Sequence, residues 1–188
     1  MDILTRDFYS RDTLAVARDL LGRDIVRVLE DGTRLACRIT ETEAYIGRTD
    51  KACHAYGGRR TARTETLFAP PGTAYIYLIY GMYHCLNFVT EAEGEPAAVL
   101  IRGAVPVENG DIIAKNRFHC KENELNAYQR KNFLNGPGKL CRGLALTRTQ
   151  NGLDLTAPEG GLYVCEGQPP APEAVRTGKR IGIDYAEE

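Results

Sequence analysis

The chain has no tryptophan, only two methionines and three histidines in 188 residues, and a net charge of only −1. No apolar run approaches the roughly 20 residues that a membrane-spanning helix needs, so no membrane partner is expected. The N-terminal stretch MDILTRDFYS has neither the basic start nor the apolar core of a secretory signal, which points to the cytoplasm. Six cysteines are present, yet no Cys-x-x-Cys pair occurs. In a reducing compartment they read as free thiols rather than as a disulfide framework. Three Cys–His neighbours stand at Cys53-His54, His84-Cys85 and His119-Cys120. Adjacent residues of a strand point to opposite faces, so such pairs seldom supply two ligands to one ion, and no metal site is expected.

The small net charge hides a segregation by sign. From Arg48 to Arg63 there are five basic residues and one acid, Asp50; from Lys115 to Arg148 there are eight basic residues and two acids. The stretch from Glu91 to Asp111 is acidic. If the two basic segments meet in space they make a face for phosphates; if they do not, they are ordinary solvated surface. Apolar residues at 43% and charged residues at 26% suit one soluble domain with a proper core.

Local patterns give an order of elements. Residues 10–22 read as a helix capped by Asp12 or Thr13, with Leu14, Ala17, Leu20 and Leu21 on one face and Gly22 at its end. A strand over 24–29 and a second over 33–45 flank the Asp31-Gly32 turn. Residues 46–72 form a long irregular loop, rich in glycine, arginine and proline, of the kind that carries function. A tyrosine-rich hairpin follows at 73–90, then an apolar strand over 97–105 ended by Pro106. Residues 111–133 read as helical, 135–140 as a turn leading into a short helix or a buried strand, and 152–165 as strand and turn. A surface loop covers 169–173, and RIGID at 180–184 reads as a last short strand. There is no repeat and no linker. The expected architecture is a single mixed α+β domain over residues 1–188 with mainly antiparallel pairing.

The strand RLACRITETEAY carries the most specific chemistry. Alternation places Leu35, Cys37, Ile39, Glu41, Glu43 and Tyr45 on one face, apolar first and then acidic and aromatic. The two glutamates are two residues, about 7 Å, apart, a spacing compatible with acid/base work on a glycosidic bond and equally with a solvated strand end. Tyr45 and the arginine-rich loop just after it favour a nucleotide as substrate. His54 is either a packing residue or the opposite wall of a slot for a flat ring. In the hairpin AYIYLIYGMYHCLNF, Gly81-Met82 fit the centre of a II′ turn, with Tyr80 and Tyr83 flanking the tip. A ring at a tip cannot bury itself in its own sheet. It either stacks on a base or wedges into a duplex, or else packs under a covering segment.

These stretches, taken together and in order, resemble the methylpurine (alkyladenine) DNA glycosylases: ETEAY at 41–45, His54, GGRRTARTE at 57–65, YIYLIYGMYHCLN at 75–87, LIRGAVP at 100–106, NGPGKLC at 135–141 and RIGID at 180–184. The resemblance implies a curved, mainly antiparallel sheet flanked by helices, with a protruding β-hairpin. It implies a monofunctional enzyme of base excision repair, without cofactor or metal, that acts as a monomer on double-stranded DNA containing damaged purines (methyladenine, methylguanine, hypoxanthine), associated with the nucleoid when acting. In that family's terms Glu43 activates the attacking water and Arg102 helps hold it. Tyr45, His54 and Tyr77 wall the flipped base, Asn87 opposes the amino group of guanine, and Tyr80 fills the gap in the duplex. Arg59, Arg60, Arg63 and Lys139 are the expected backbone contacts. Members of the family continue past RIGID into a Trp-Arg-Phe-like run; this sequence stops at Glu188, so its C-terminal end reads as shortened. Two other readings compete: a non-catalytic nucleic-acid-binding module, which has no need of Glu43, and a hydrolase of free nucleosides, which has no need of Tyr80.

Overall fold

The structure is a computed structural model and describes residues 2–183 and Ala186. Along the chain it contains α1 (Arg6–Tyr9), α2 (Thr13–Asp19), β1 (Asp24–Val28), β2 (Arg34–Tyr45), β3 (Ala74–Ile79), β4 (Tyr83–Thr90) and β5 (Ala97–Glu108). Then follow α3 (Gly110–Phe118), α4 (Ala127–Lys131), α5 (Pro137–Gly143) and β6 (Leu162–Cys165). The strands form one curled antiparallel sheet in the order β3-β4-β5-β2-β1-β6. This is the mixed α+β architecture expected.

The sheet is covered on both sides. On one side α2, α3 and α5 bury Leu20, Ile113, Leu140 and Leu144 against Ile39, Leu86, Phe88 and Ile101 of the strands. On the other, the loop between β2 and β3 packs Cys53, Ala55, Leu67 and Phe68 over Tyr75, Val89 and Ala98. Strand alternation explains the division: Ile76, Leu86 and Phe88 face the helices, while their neighbours Tyr75, Tyr77 and Val89 face the loop.

Several elements depart from the sequence reading, each for a local reason. Helix α2 is short: Asp12 caps it by accepting from the Ala15 N–H at 2.9 Å, and the chain turns away at Gly22, φ 82°, where any Cβ would collide with the Gln168 backbone. Its buried face is Thr13, Val16 and Ala17, with Leu20 just beyond, while Leu14 is exposed. Strand β5 does not end at Pro106 but runs on to Glu108. The register steps from Cys37↔Pro106 to Ala36↔Glu108, a bulge that accommodates the missing N–H. The stretch 111–133 is two helices rather than one, because His119 turns left-handed (φ 61°) and Asn126 starts α4 with a new cap. Residues 137–143 resolve as helix, with Pro137 in its first turn, where it suits best. Residues 180–183 form a turn rather than a strand, and Asp184 of the expected RIGID strand lies outside the described residues.

Candidate active site

Strand β2 does not keep one face throughout. Its pairing with β5 runs Ile39↔Ala104, Glu41↔Gly103, Thr42↔Ile101, so Thr40 is an extra residue on β2 and Arg102 an extra residue on β5. A bulge reverses the side to which later residues point. Leu35, Cys37 and Ile39 therefore lie in the helix-side core. Beyond the bulge it is Ala44 that packs there, and Thr42 that hydrogen-bonds the Ala17 carbonyl of α2 at 2.8 Å. Glu43 and Tyr45 emerge on the loop side. The simple alternation that put all six residues on one face fails at this point. Glu41 is exposed and does not line the cavity, so one carboxylate, not two, reaches it.

Glu43 is buried, with 8% of its surface exposed, at one wall of a cavity of about 290 Å³. Three groups address its carboxylate. The Tyr45 hydroxyl donates to Oε2 at 2.9 Å, the Ile181 backbone N–H donates to Oε1 at 2.8 Å, and Arg102 Nε stands 3.5 Å from Oε1. Arg102 also donates to Glu41 Oε1 at 3.2 Å, so the guanidinium is shared between the buried acid and the exposed one.

The aromatic walls come from three elements. Tyr45 ends β2, Tyr75 and Tyr77 project from β3, and His54 lies in the loop. The His54 ring meets Tyr77 edge-on at 4.6 Å between centroids, and Tyr77 lies 5.4 Å from Tyr75. His54 Nδ1 is 3.1 Å from the Tyr75 hydroxyl. Burial, helped by the nearby Arg63 cation, pushes the His54 pKa down to about 4, so its ring is neutral at physiological pH. Burial likewise raises Tyr77 far above the ordinary phenol value and pushes Tyr75 up to about 12, so both remain phenols. Asn87, on β4, is buried and donates through its amide to the carbonyls of Tyr75 and Cys85 at 3.1 and 3.2 Å.

At the cavity rim stands the hairpin. Its turn lies one residue earlier than expected: Tyr80 and Gly81 are the central residues, with φ of 53° and 71°, and Met82 N–H donates to the Ile79 carbonyl. Two positive φ values make this a I′ pattern rather than II′. Tyr80 itself thus sits at the apex, 83% exposed.

Of the expected cationic contacts, Arg59 and Arg63 lie exposed on the loop, with the Arg63 guanidinium 5.3 Å from the centre of the Tyr77 ring. Arg60 is paired with Glu65 at 2.6 Å, and Lys139 is held by the side-chain oxygens of Asn132 and Asn135 at 2.9 and 2.8 Å. The loop and α5 both reach the cavity, through His54 and Pro137, so both basic segments border one site, although none of their Lys or Arg side chains is among its lining residues. Among the described residues no group of three His, Cys, Asp or Glu side chains is placed to hold a metal ion, and all six cysteines are free.

Sequence reasoning missed three participants. Asp50, Arg180 and Ile181 close the side of the site next to Glu43. Asp50 had a signal: it is the lone acid of the basic segment from Arg48 to Arg63, and such an acid is kept for a partner. Nothing in RIGID announced that its backbone would reach the buried glutamate.

A narrow aromatic cleft that ends on a buried carboxylate suits a flat ring taken out of its stack, and the exposed ring beside it suits the gap left behind. That combination defines an enzyme that works on nucleobases in DNA. Comparison with known proteins narrows it. The methylpurine-DNA glycosylase (MPG) family matches residues 7–188, and the chain belongs to that family, which makes it a DNA N-glycosylase. Its relatives include a Clostridium perfringens protein described as "Putative 3-methyladenine DNA glycosylase", 50% identical over 98% of this chain and 90% of its own length. Proteins of the same description from Desulfitobacterium hafniense and Clostridium acetobutylicum are 49% and 50% identical, over 100% and 98% of this chain and 91% and 88% of their own lengths. The reading as a non-catalytic binding module is thereby set aside.

Proposed function

We propose that this protein excises alkylated and deaminated purines, namely methyladenine, methylguanine and hypoxanthine, from duplex DNA by hydrolysis of the N-glycosidic bond, acting as a monomer in the bacterial cytoplasm. The observation that carries the reading is the buried Glu43 carboxylate at the end of a cleft walled by Tyr45, Tyr77 and His54.

In this reading the damaged nucleotide leaves the helix at a cost of a few kcal/mol, and Tyr80 offsets part of that cost by taking the place of the lost base. The extruded purine slides between Tyr45, Tyr77 and His54. A methylated purine carries positive charge; electron-rich phenol faces attract it, and a neutral His54 does not repel it. Asn87, its amide fixed by the Tyr75 and Cys85 carbonyls, occupies the space where the amino group of guanine would fall, so normal guanine is refused for want of room. As the bond between base and sugar breaks, its electron pair leaves with the base and positive charge grows on the sugar. Glu43 both stabilises that charge and accepts the proton of the water that attacks the anomeric carbon, and Arg102 helps orient that water. Glu43 accepts one hydrogen bond through each of its oxygens, from Tyr45 and from Ile181. Arg59, Arg60, Arg63 and Lys139 hold phosphates on either side of the cleft.

The test is direct. Duplex oligonucleotides carrying hypoxanthine or a methylated adenine are incubated with the protein without added metal. Release of the base, leaving abasic sites without strand cleavage, is expected. Strand cleavage in the same step, or release from free nucleosides at an equal rate, contradicts the proposal.

A further inference from the structure

We propose that Asp50 and Arg180 act as a clamp that positions the catalytic carboxylate: their ion pair holds the 180–183 segment against Glu43, so that the Ile181 N–H and the Tyr45 hydroxyl fix the carboxylate's orientation. This rests on the role proposed above for Glu43.

Asp50 is buried, its side chain only 1% exposed, and it receives the Arg180 guanidinium through both oxygens at 2.6 and 3.0 Å. Two further donors, the N–H groups of Ala52 and Ile46, satisfy its remaining lone pairs at 2.9 and 3.1 Å. Burial alone would raise the Asp50 carboxyl; the guanidinium and these N–H groups outweigh it and hold the group below the usual carboxylate range. The acid is therefore charged and fully used, and it belongs to the loop, thirty-odd positions before the cavity's hairpin wall begins to return.

Arg180 does three things at once. It pairs with Asp50, donates to the Ala44 carbonyl at 3.0 Å, and lies 4.8 Å over the Tyr45 ring. Ala44 sits between Glu43 and Tyr45, so one guanidinium grips the strand at Ala44 and Tyr45, directly after Glu43. The next residue, Ile181, turns its N–H onto Glu43 Oε1. Beyond it, Ile183 buries itself with Ala52 and Ala186 beside Tyr45. An anchored guanidinium upstream and an apolar plug downstream thus leave the Ile181 N–H little room to move. A carboxylate has about four acceptor positions. With one taken by Tyr45 and one by Ile181, those left over are directed by the fold rather than by chance, and small misplacements of a reacting group are costly. A guanidinium fork suits this task because it is planar and makes several bonds at fixed angles; a lysine cannot reproduce it.

Asp50→Asn is isosteric and removes the charge; Arg180→Lys keeps the charge and removes the fork. Each is compared with the wild type in single-turnover release of hypoxanthine from duplex DNA, and in affinity for a duplex carrying an abasic-site analogue. Folding is checked by thermal denaturation, and Arg180→Lys decides the matter if Asp50→Asn does not fold. The expected result is a rate about 10- to 100-fold lower, with affinity for the analogue little changed. Exchange of the Ile181 amide proton should also quicken in the folded variant. A folded Arg180→Lys protein with the wild-type rate overturns the clamp, as does a rate that falls only in step with affinity. If the wild type itself releases no base, it is the proposed function that fails, and the two failures are thus distinguishable.

Discussion

Tyr80 is held at φ 53°, a backbone state that costs an L-residue roughly 1–2 kcal/mol, and its large ring is left mostly uncovered by the described residues. Stability does not ask for a tyrosine there; the proposed insertion into DNA does. Tyr80→Gly should therefore leave the melting temperature unchanged or raise it, while weakening binding to lesion-containing duplex by the roughly 1–3 kcal/mol of one stacked base. A variant that melts earlier and still binds normally would show that the ring serves the fold instead. His54 makes a second prediction, with its sign fixed by burial. The folded-state pKa, about 4, lies below the ordinary value of 6.5, so the unfolded chain takes up the proton first. Stability from this group is complete above about pH 6.5 and is lost as pH falls towards 4. Measured against His54→Gln, the wild type should lose stability more steeply across that window; parallel curves would contradict the burial argument. At this scale the sequence was informative where chemistry is carried by rare residue types in a tight group, as at Glu43, Tyr45 and Tyr77. It was silent where a backbone group does the work, as the N–H of Ile181 does.

Elements were legible where pattern and punctuation agree. Asp31-Gly32 between two alternating runs gave the first hairpin, and Asp12 before an apolar helix gave α2. They were illegible where a single extra residue changes the meaning of the pattern. Counting by twos along β2 is correct up to Ile39 and reversed afterwards, because a bulge carries no signature of its own in RITETEAY. The same holds for the hairpin tip. Gly81-Met82 looks like a II′ turn, yet Ile79 pairs with Tyr83, which leaves three residues from Tyr80 to Met82 in the loop, and the tight turn closed by the Met82 N–H on the Ile79 carbonyl gives Tyr80 a positive φ. Gly81, at φ 71° with open space around its Cα, is the residue that permits this. Gly81→Ala should therefore cost about 1 kcal/mol in urea unfolding, from backbone strain alone. An unchanged midpoint would mean that the apex does not keep this conformation.

On the scale of the whole molecule, a chain close to neutral still brings stretches of both its basic segments to one cavity. The loop bearing Arg59 and Arg63 and the start of α5 bearing Lys139 border the same cavity, although 70-odd positions separate them in the sequence. Affinity for duplex DNA should fall linearly with the logarithm of salt concentration, and Arg59→Ala should reduce that slope by roughly 0.9. Arg60→Ala should change it less, since that side chain is already paired with Glu65. A slope near zero would deny the phosphate contacts altogether. The central claim remains local: the carboxylate at the end of the aromatic cleft drives the reaction, and everything around it positions or admits the base. Glu43→Gln tests it most directly, because the amide keeps the shape and removes the base. In single-turnover reactions with hypoxanthine-containing duplex, the account predicts a loss of at least about 100-fold in base release with DNA binding retained. A Glu43→Gln protein that releases the base at the wild-type rate would contradict it.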